Sequence, residues 1–245
     1  MNYSKYEMTK QEYLKYGLYY MFIVTIVSYV FYDSLLAGFP FLAGMYFYFK
    51  CIKKYLIRNR KQKLKNEFRD MIDAVATALN AGYSIENSFY EAYKDMLKLY
   101  GKSGLIVKEL EYFFNMMEVK KPLEVVLSDF AKRAEIEDIT DFSDIFQLAK
   151  RNGGDFNHII GKTVRIMKEK EETERDIEVL LSGKKYEQKV MSVIPIGIIL
   201  YLRISSGNYL SVLYHNALGI IIMTLCLIIY IISYAISDKF INIHV

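Results

Sequence analysis

Cysteine and histidine are scarce: two and three residues in 245. Cys51 lies just past the end of one apolar run and Cys226 in the middle of another, a separation that argues against a disulfide. His158, His215 and His244 fall in separate segments, so metal binding has no candidate ligand set. A phosphate-cradling loop is missing as well. Gly101-Lys102-Ser103 and Gly161-Lys162-Thr163 each mimic its end, but the glycine required five residues earlier is replaced by Met96 and Phe156. Ser192, Ser211 and the other hydroxyls have no partnered base, so no nucleophilic constellation is visible. The chain is therefore expected not to be an enzyme and to need no cofactor.

The absence of charge is the most informative feature. No Asp, Glu, Lys, Arg or His occurs within Tyr16–Tyr32, Leu35–Phe49, Val190–Leu202 or Ala217–Ile236. A helix crossing about 30 Å of hydrocarbon needs roughly 20 apolar residues. The first three runs are somewhat short, and tyrosines clustered at the ends of the first two extend them at headgroup level. These runs predict two transmembrane hairpins, with no intramembrane acid or histidine to serve a proton relay.

Basic residues set the expected orientation. Lys50, Lys53, Lys54, Arg58, Arg60, Lys61, Lys63 and Lys65 crowd a stretch without a single acid, and Lys184, Lys185 and Lys189 precede the third run. By the positive-inside rule the middle of the chain is cytoplasmic, as are both termini. Lys5, Lys10 and Lys15 agree, and without a small-residue cleavage site after them the first run reads as an uncleaved anchor. The same basic run would attract anionic membrane lipid.

Between the hairpins no strand alternation occurs, and the apolar spacing is helical, with Phe68, Met71, Ile72, Val75 and Leu79 recurring at three and four. A first helix ends at Gly82, and Ser84 N-caps a second running to about Leu99. Gly101 and Gly104 precede a third over about Leu105 to Met117. Pro122 opens a fourth, with Leu123, Val126, Leu127 and Phe130 on one face. A fifth carries Phe142, Phe146, Leu148 and Ala149 and ends at Gly153-Gly154. Asp155 caps a long sixth, interrupted only at Gly183. Lys168 to Asp176 on that helix reads as a solvated face of charge pairs or as a docking surface. From Asn66 to Lys189 acids outnumber bases 24 to 19, which argues against nucleic acid although the whole chain is +4.

The predicted fold class is therefore all-α: a polytopic membrane protein with four transmembrane helices arranged 2 + 2 and a cytoplasmic bundle of about six helices between the pairs. Its segments are a cytoplasmic N-terminal segment 1–15, a first hairpin 16–49, a basic juxtamembrane linker 50–63, a helical domain 64–189, a second hairpin 190–236 and a cytoplasmic tail 237–245.

These residues together resemble the type II secretion F family of inner-membrane platform proteins, most closely the single-domain members of the Tad (Flp) pilus system. Ala81-Gly82-Tyr83-Ser84-Ile85-Glu86 looks like the family's first helix hairpin, Pro122-Leu123 with Leu127 its middle helix, and Gly153-Gly154-Asp155-Phe156 its Gly-Gly-Asp turn. Arg165 and Arg175 fall on the long helix, and Pro195 sits in the third span as in the family. Ser88 departs from the family's usual alanine. The similarity covers about Leu64 to the C-terminus and rests on the order and spacing of these features. It implies a non-enzymatic protein of the cell (inner) membrane that couples a cytoplasmic secretion ATPase to pilin assembly or protein secretion. Relatives commonly carry the module twice, which implies assembly of this single-module chain with itself or a paralogous platform protein. The competing expectations are a four-span solute- or ion-handling protein with a regulatory helical domain, and a scaffold without an ATPase partner.

Overall fold

The computed structural model describes residues 3, 4, 6–34, 38–152, 156–205, 214 and 216–241, and among them every regular element is helical. The chain divides into two compact units. One comprises Met1–Glu7 with Ile52–Glu172, the other Met8–Cys51 with Thr173–Val245.

The second unit holds the apolar runs. Helix α1 (Lys10–Tyr32) opens with a capping box: Glu12 N–H donates to Thr9 Oγ1, and Thr9 N–H donates to the Glu12 carboxylate at 2.8 Å. The second apolar run differs from expectation, because it does not form one helix. It gives a four-residue α2 (Phe39–Leu42), a turn at Ala43-Gly44, and then the start of α3 (Met45–Asn80). Tight packing explains the break. Gly44 N–H bonds back to Phe41 O at 2.9 Å, Tyr20 Oη donates to the same carbonyl, and a Cβ on Gly44 would lie 2.8 Å from Tyr20 Oη. Among the described residues three helices are long and apolar enough to cross a membrane: α1, α8 (Phe156–Ser205) and α9 (Ala217–Ile241). Leu218, Ile221, Leu225, Ile228 and Ile232 of α9 are more than half exposed, as side chains facing lipid would be.

Two expectations about helix continuity also change. The basic segment 50–63, read as a linker, is helical throughout as part of α3. Helix α8 is one run of 50 residues that passes Gly183 without a break, so the sixth helix and the third span are a single element. The ~1 kcal/mol penalty of an interior glycine is too small to interrupt a helix of this length.

The first unit is a bundle. Its remaining helices are α4 (Ile85–Tyr100), α5 (Leu105–Glu118), α6 (Leu123–Ala134) and α7 (Glu137–Asn152), with the first turns of α8. Phe68, Met71, Ile72, Val75 and Leu79 are all buried, so the three-and-four spacing on α3 marks its core face. At the centre six phenyl rings close a circuit through five helices: Phe68, Phe130, Phe113, Phe89, Phe146, Phe142 and back to Phe68. Successive centroids lie 5.6–6.4 Å apart, within the tilted and edge-on range favoured by aromatic pairs. Of the apolar residues that α7 carries, Phe142, Phe146 and Ala149 are buried and Leu148, off their line, is exposed.

Gly82 ends α3 in the left-handed conformation, φ +89°. Its N–H bonds Leu79 O at 2.9 Å while Tyr83 N–H bonds Ala78 O at 3.2 Å, the pair of bonds that defines a Schellman cap. A Cβ there would meet nothing within 4 Å, so the cost of a side chain is backbone strain alone. Gly82→Ala is expected to destabilise the full chain by about 1–2 kcal/mol, read as a fall in thermal midpoint of a few degrees in detergent. An unchanged midpoint would show that the turn relaxes.

Candidate functional site

The motif residues do not converge on one pocket. Ser84 Oγ accepts from Asn87 N–H and caps α4. Pro122 lies one position outside α6, with Leu123 as the first helical residue and buried in the core. Arg165 and Arg175 are exposed on α8, and Pro195 is inside that helix. Gly153, Gly154 and Asp155 lie outside the described residues.

What the fold assembles inside the bundle is a set of buried charges. Asp138, near the start of α7, sits between the apolar positions Ile136 and Ile139 and is almost fully buried. Arg69 of α3 donates to Asp138 Oδ2 through Nη2 at 2.8 Å and Nε at 3.1 Å, Lys170 of α8 donates to Oδ1 at 3.0 Å, and Lys65 Nζ lies 3.7 Å from Oδ2. One carboxylate thus ties α3, α7 and α8 together. Burial alone would raise its pKa, but the three cations outweigh it and hold the carboxyl below the usual aspartate range.

This lowered pKa gives the pH effect a definite sign. The unfolded chain takes up the Asp138 proton near pH 4, whereas the folded chain does so only at lower pH. The stabilisation from Asp138 is complete above that value and is lost as pH falls through the folded pKa. Asp138→Asn is expected to be less stable than the parent at pH 7 and to lose less on acidification from pH 5 to 3. Parallel acid limbs in thermal melts would exclude the role.

A second cluster joins the N-terminal segment to the bundle. Glu109, on the apolar face of α5, is buried; Arg133 of α6 donates to its two oxygens at 2.8 and 2.7 Å and through Nε to Asp129 at 2.8 Å. Tyr3 is fully buried, donates its hydroxyl to Glu109 Oε1 at 2.7 Å and its backbone N–H to Arg133 O, and lies under the Arg60 guanidinium. Burial, reinforced by the Glu109 carboxylate, pushes the Tyr3 hydroxyl well above its ordinary pKa. Ser4 Oγ donates to Glu135, which also binds Lys61 at 3.1 Å. Glu67 of α3 completes the set by accepting from Ile106 N–H at 2.8 Å, a carboxylate cap for α5, whose N-cap Gly104 has no side chain to supply one.

A groove of about 780 Å³ runs between α3 and α4, with carboxylates of Asp70, Asp73, Glu91 and Asp95 around an apolar floor that includes Ala78 and Met96. Each acid has a local partner: Tyr100, Lys168, Lys94 and Lys98 respectively. Among the described residues no three His, Cys, Asp or Glu side chains form a metal-binding group.

In the other unit, polar contacts join α1, α8 and α9. Arg203 of α8 pairs with Asp33 and donates to Tyr29 O, with its guanidinium 3.8 Å from the Tyr29 ring centre. Tyr32 and Thr224 hydroxyls meet at 3.0 Å. Pro195 has no N–H for the preceding turn of α8, and beside it Tyr230 Oη donates to Ser192 O at 2.8 Å.

These contacts hold helices together and carry no nucleophile–base pair. Sequence reading missed Tyr3, Glu67, Glu109, Arg133 and Asp138. The available signal was a charge at a core position of an amphipathic helix, as with Glu109 beside Leu110 and one turn before Phe113. Comparison with protein-family models, with curated proteins and with solved structures finds no match.

Proposed function

We propose that this chain is a non-enzymatic platform protein of the inner membrane, multi-pass with both termini cytoplasmic. It couples a cytoplasmic secretion ATPase to pilin assembly or protein secretion in a machine of the Tad, type IV pilus or type II secretion kind. It works with a second copy or a paralogue and uses no cofactor. The observation that carries this reading is α8: a single helix begins with core residues Ile160 and Val164 of the bundle and ends as an apolar segment of spanning length. Any displacement of the bundle imposed by an ATPase therefore has a continuous backbone along which to reach the membrane.

The contacts within the second unit support the topology. The Asp33–Arg203 pair joins the C-terminal end of α1 to the C-terminal end of α8, and Tyr32–Thr224 joins that end of α1 to the first turns of α9. Crossing inward-to-outward by α1 and α8 and outward-to-inward by α9 requires these ends to share one side. Affinity purification from gently solubilised membranes tests the reading. Recovery of a hexameric ATPase and pilin-like subunits is the expected result; their absence, with solute flux by the protein alone in vesicles, would replace it with a solute-handling role.

A further inference from the structure

Tyr3 is fully buried, yet it enters the bundle from a segment outside the bundle's helices: residues 6–9 have no regular secondary structure and Glu7 is exposed. The contacts read two successive residues. The Tyr3 hydroxyl donates to Glu109 Oε1 at 2.7 Å, its ring lies 5.0 Å beneath the Arg60 guanidinium, its N–H donates to Arg133 O at 3.2 Å, and Ser4 Oγ donates to Glu135. A main-chain bond for affinity and a side-chain pocket for specificity is how a folded domain recognises a peptide.

The walls of this socket hold one another without Tyr3. Glu109 keeps both bonds from Arg133, which also binds Asp129 and lies over the rings of Tyr112 and Phe130, at 5.0 and 5.9 Å. Glu135 keeps Lys61 at 3.1 Å. Withdrawal of Tyr3 therefore leaves no buried charge without a counter-charge, the condition that makes loss of an ionic partner so costly. The phenyl circuit at the centre is different in kind: each of its rings touches two others, and Tyr3 is not a member.

The floor of the socket selects its occupant. The Glu109 carboxylate accepts and cannot donate, so it favours a phenol over a phenyl, and a hydrogen bond to a charged acceptor is worth about tenfold or more in affinity. The guanidinium over the ring favours an aromatic over an aliphatic side chain. Phosphotyrosine would set a second anion against Glu109, in a site that already leaves Tyr3 0% exposed.

We propose that the cleft bounded by Arg60, Glu109, Arg133 and Glu135 is a recognition site for a tyrosyl-seryl peptide, occupied in this structure by the chain's own Tyr3-Ser4 as a tethered ligand. The site is closed to other occupants while that segment is seated and open to a tyrosine-bearing segment of a partner once it leaves. The inference concerns the first unit alone and stands or falls independently of the platform role.

The test uses the full chain in detergent carrying Tyr3→Ala, and a fluorophore-labelled, end-blocked peptide Met-Asn-Tyr-Ser-Lys, the sequence of residues 1–5. Saturable binding, read by fluorescence anisotropy, is expected for the variant and should be at least about tenfold tighter than for the parent chain, whose own segment competes. Replacing the peptide's tyrosine by phenylalanine should weaken binding about tenfold or more, and replacing it by phosphotyrosine should abolish binding. The tyrosine peptide should also raise the thermal midpoint of Tyr3→Ala and leave that of the parent unchanged. Equal binding by parent and variant, equal binding of the tyrosine and phenylalanine peptides, or no binding by a variant that still melts cooperatively would each overturn the proposal. So would loss of the cooperative melt in Tyr3→Ala, which would make Tyr3 a fixed part of the core.

Discussion

Glu109→Ala is expected to lower the stability of the protein by about 3–5 kcal/mol, the cost of removing one partner from a buried ion pair. The side chain accepts a bidentate pair of bonds from Arg133 and one from the Tyr3 hydroxyl, and it is 2% exposed. Alanine leaves the Tyr3 hydroxyl buried without that acceptor and leaves Arg133 to Asp129, besides opening a void under the N-terminal segment. For a chain of this length each kcal/mol moves the thermal midpoint by about 2–4 °C. A fall of roughly ten degrees is therefore expected in far-ultraviolet circular dichroism of the full chain in detergent, and a shift below about two degrees would reject the assignment. Glu109→Gln, which keeps an acceptor for Tyr3, should fall between the two. The same cluster sets an alkaline limit. The folded pKa of Tyr3 is raised, so its contribution is whole below about pH 10, where unfolded tyrosine ionises, and is lost as pH rises toward the folded value. Tyr3→Phe should be less stable at pH 8 and should lose less between pH 9 and 11.

Four glycines inserted after Gly183 are expected to abolish fibre assembly while leaving the protein inserted and the bundle folded. Each interior glycine disfavours helix by about 1 kcal/mol, and four in succession interrupt a backbone that now passes this point unbroken. Residue number alone is not the variable. Seven alanines at the same site preserve helix and rotate the downstream part of α8 by about 700°, which returns it to within about 20° of its original face. The alanine insertion should retain assembly that the glycine insertion loses. Wild-type fibres from the glycine variant would reject mechanical coupling through α8, whereas loss in both variants would point to length and not stiffness.

Local chemistry made part of this structure readable without coordinates. The stripe from Phe68 to Leu79, the left-handed cap at Gly82 and the N-cap at Ser84 each involve partners within a few residues, so spacing and residue type are enough. Misreadings arose where a local rule met a distant neighbour. Gly183 has the residue type of a helix terminator, but nothing around it offers the chain another path. Leu35–Phe49 reads as one unbroken run, but Tyr20, 21 residues before Phe41, supplies a donor to the Phe41 carbonyl, and the described residues of the run turn at Gly44 between α2 and α3. The candidate site was least legible. Glu67, Glu109 and Asp138 look like ordinary surface acids in a chain that is 24% charged, and their partners are 39, 24 and 69 residues distant.

Helical character, and uncharged runs flanking a charged middle, were already settled by the order of the amino acids, because period and hydropathy are properties of neighbouring residues. So were the places where several helices begin and end, through caps that close over one turn. Three-dimensional packing was needed to bring six phenyl rings from five helices into one circuit, to plug the bundle with Tyr3 through Glu109 and Arg133, and to gather cations from α3 and α8 around a single carboxylate, Asp138. Burial accounts for the difference: a charge or hydroxyl taken out of water must find its partner wherever the chain brings one, and that choice is not written in the spacing of residues.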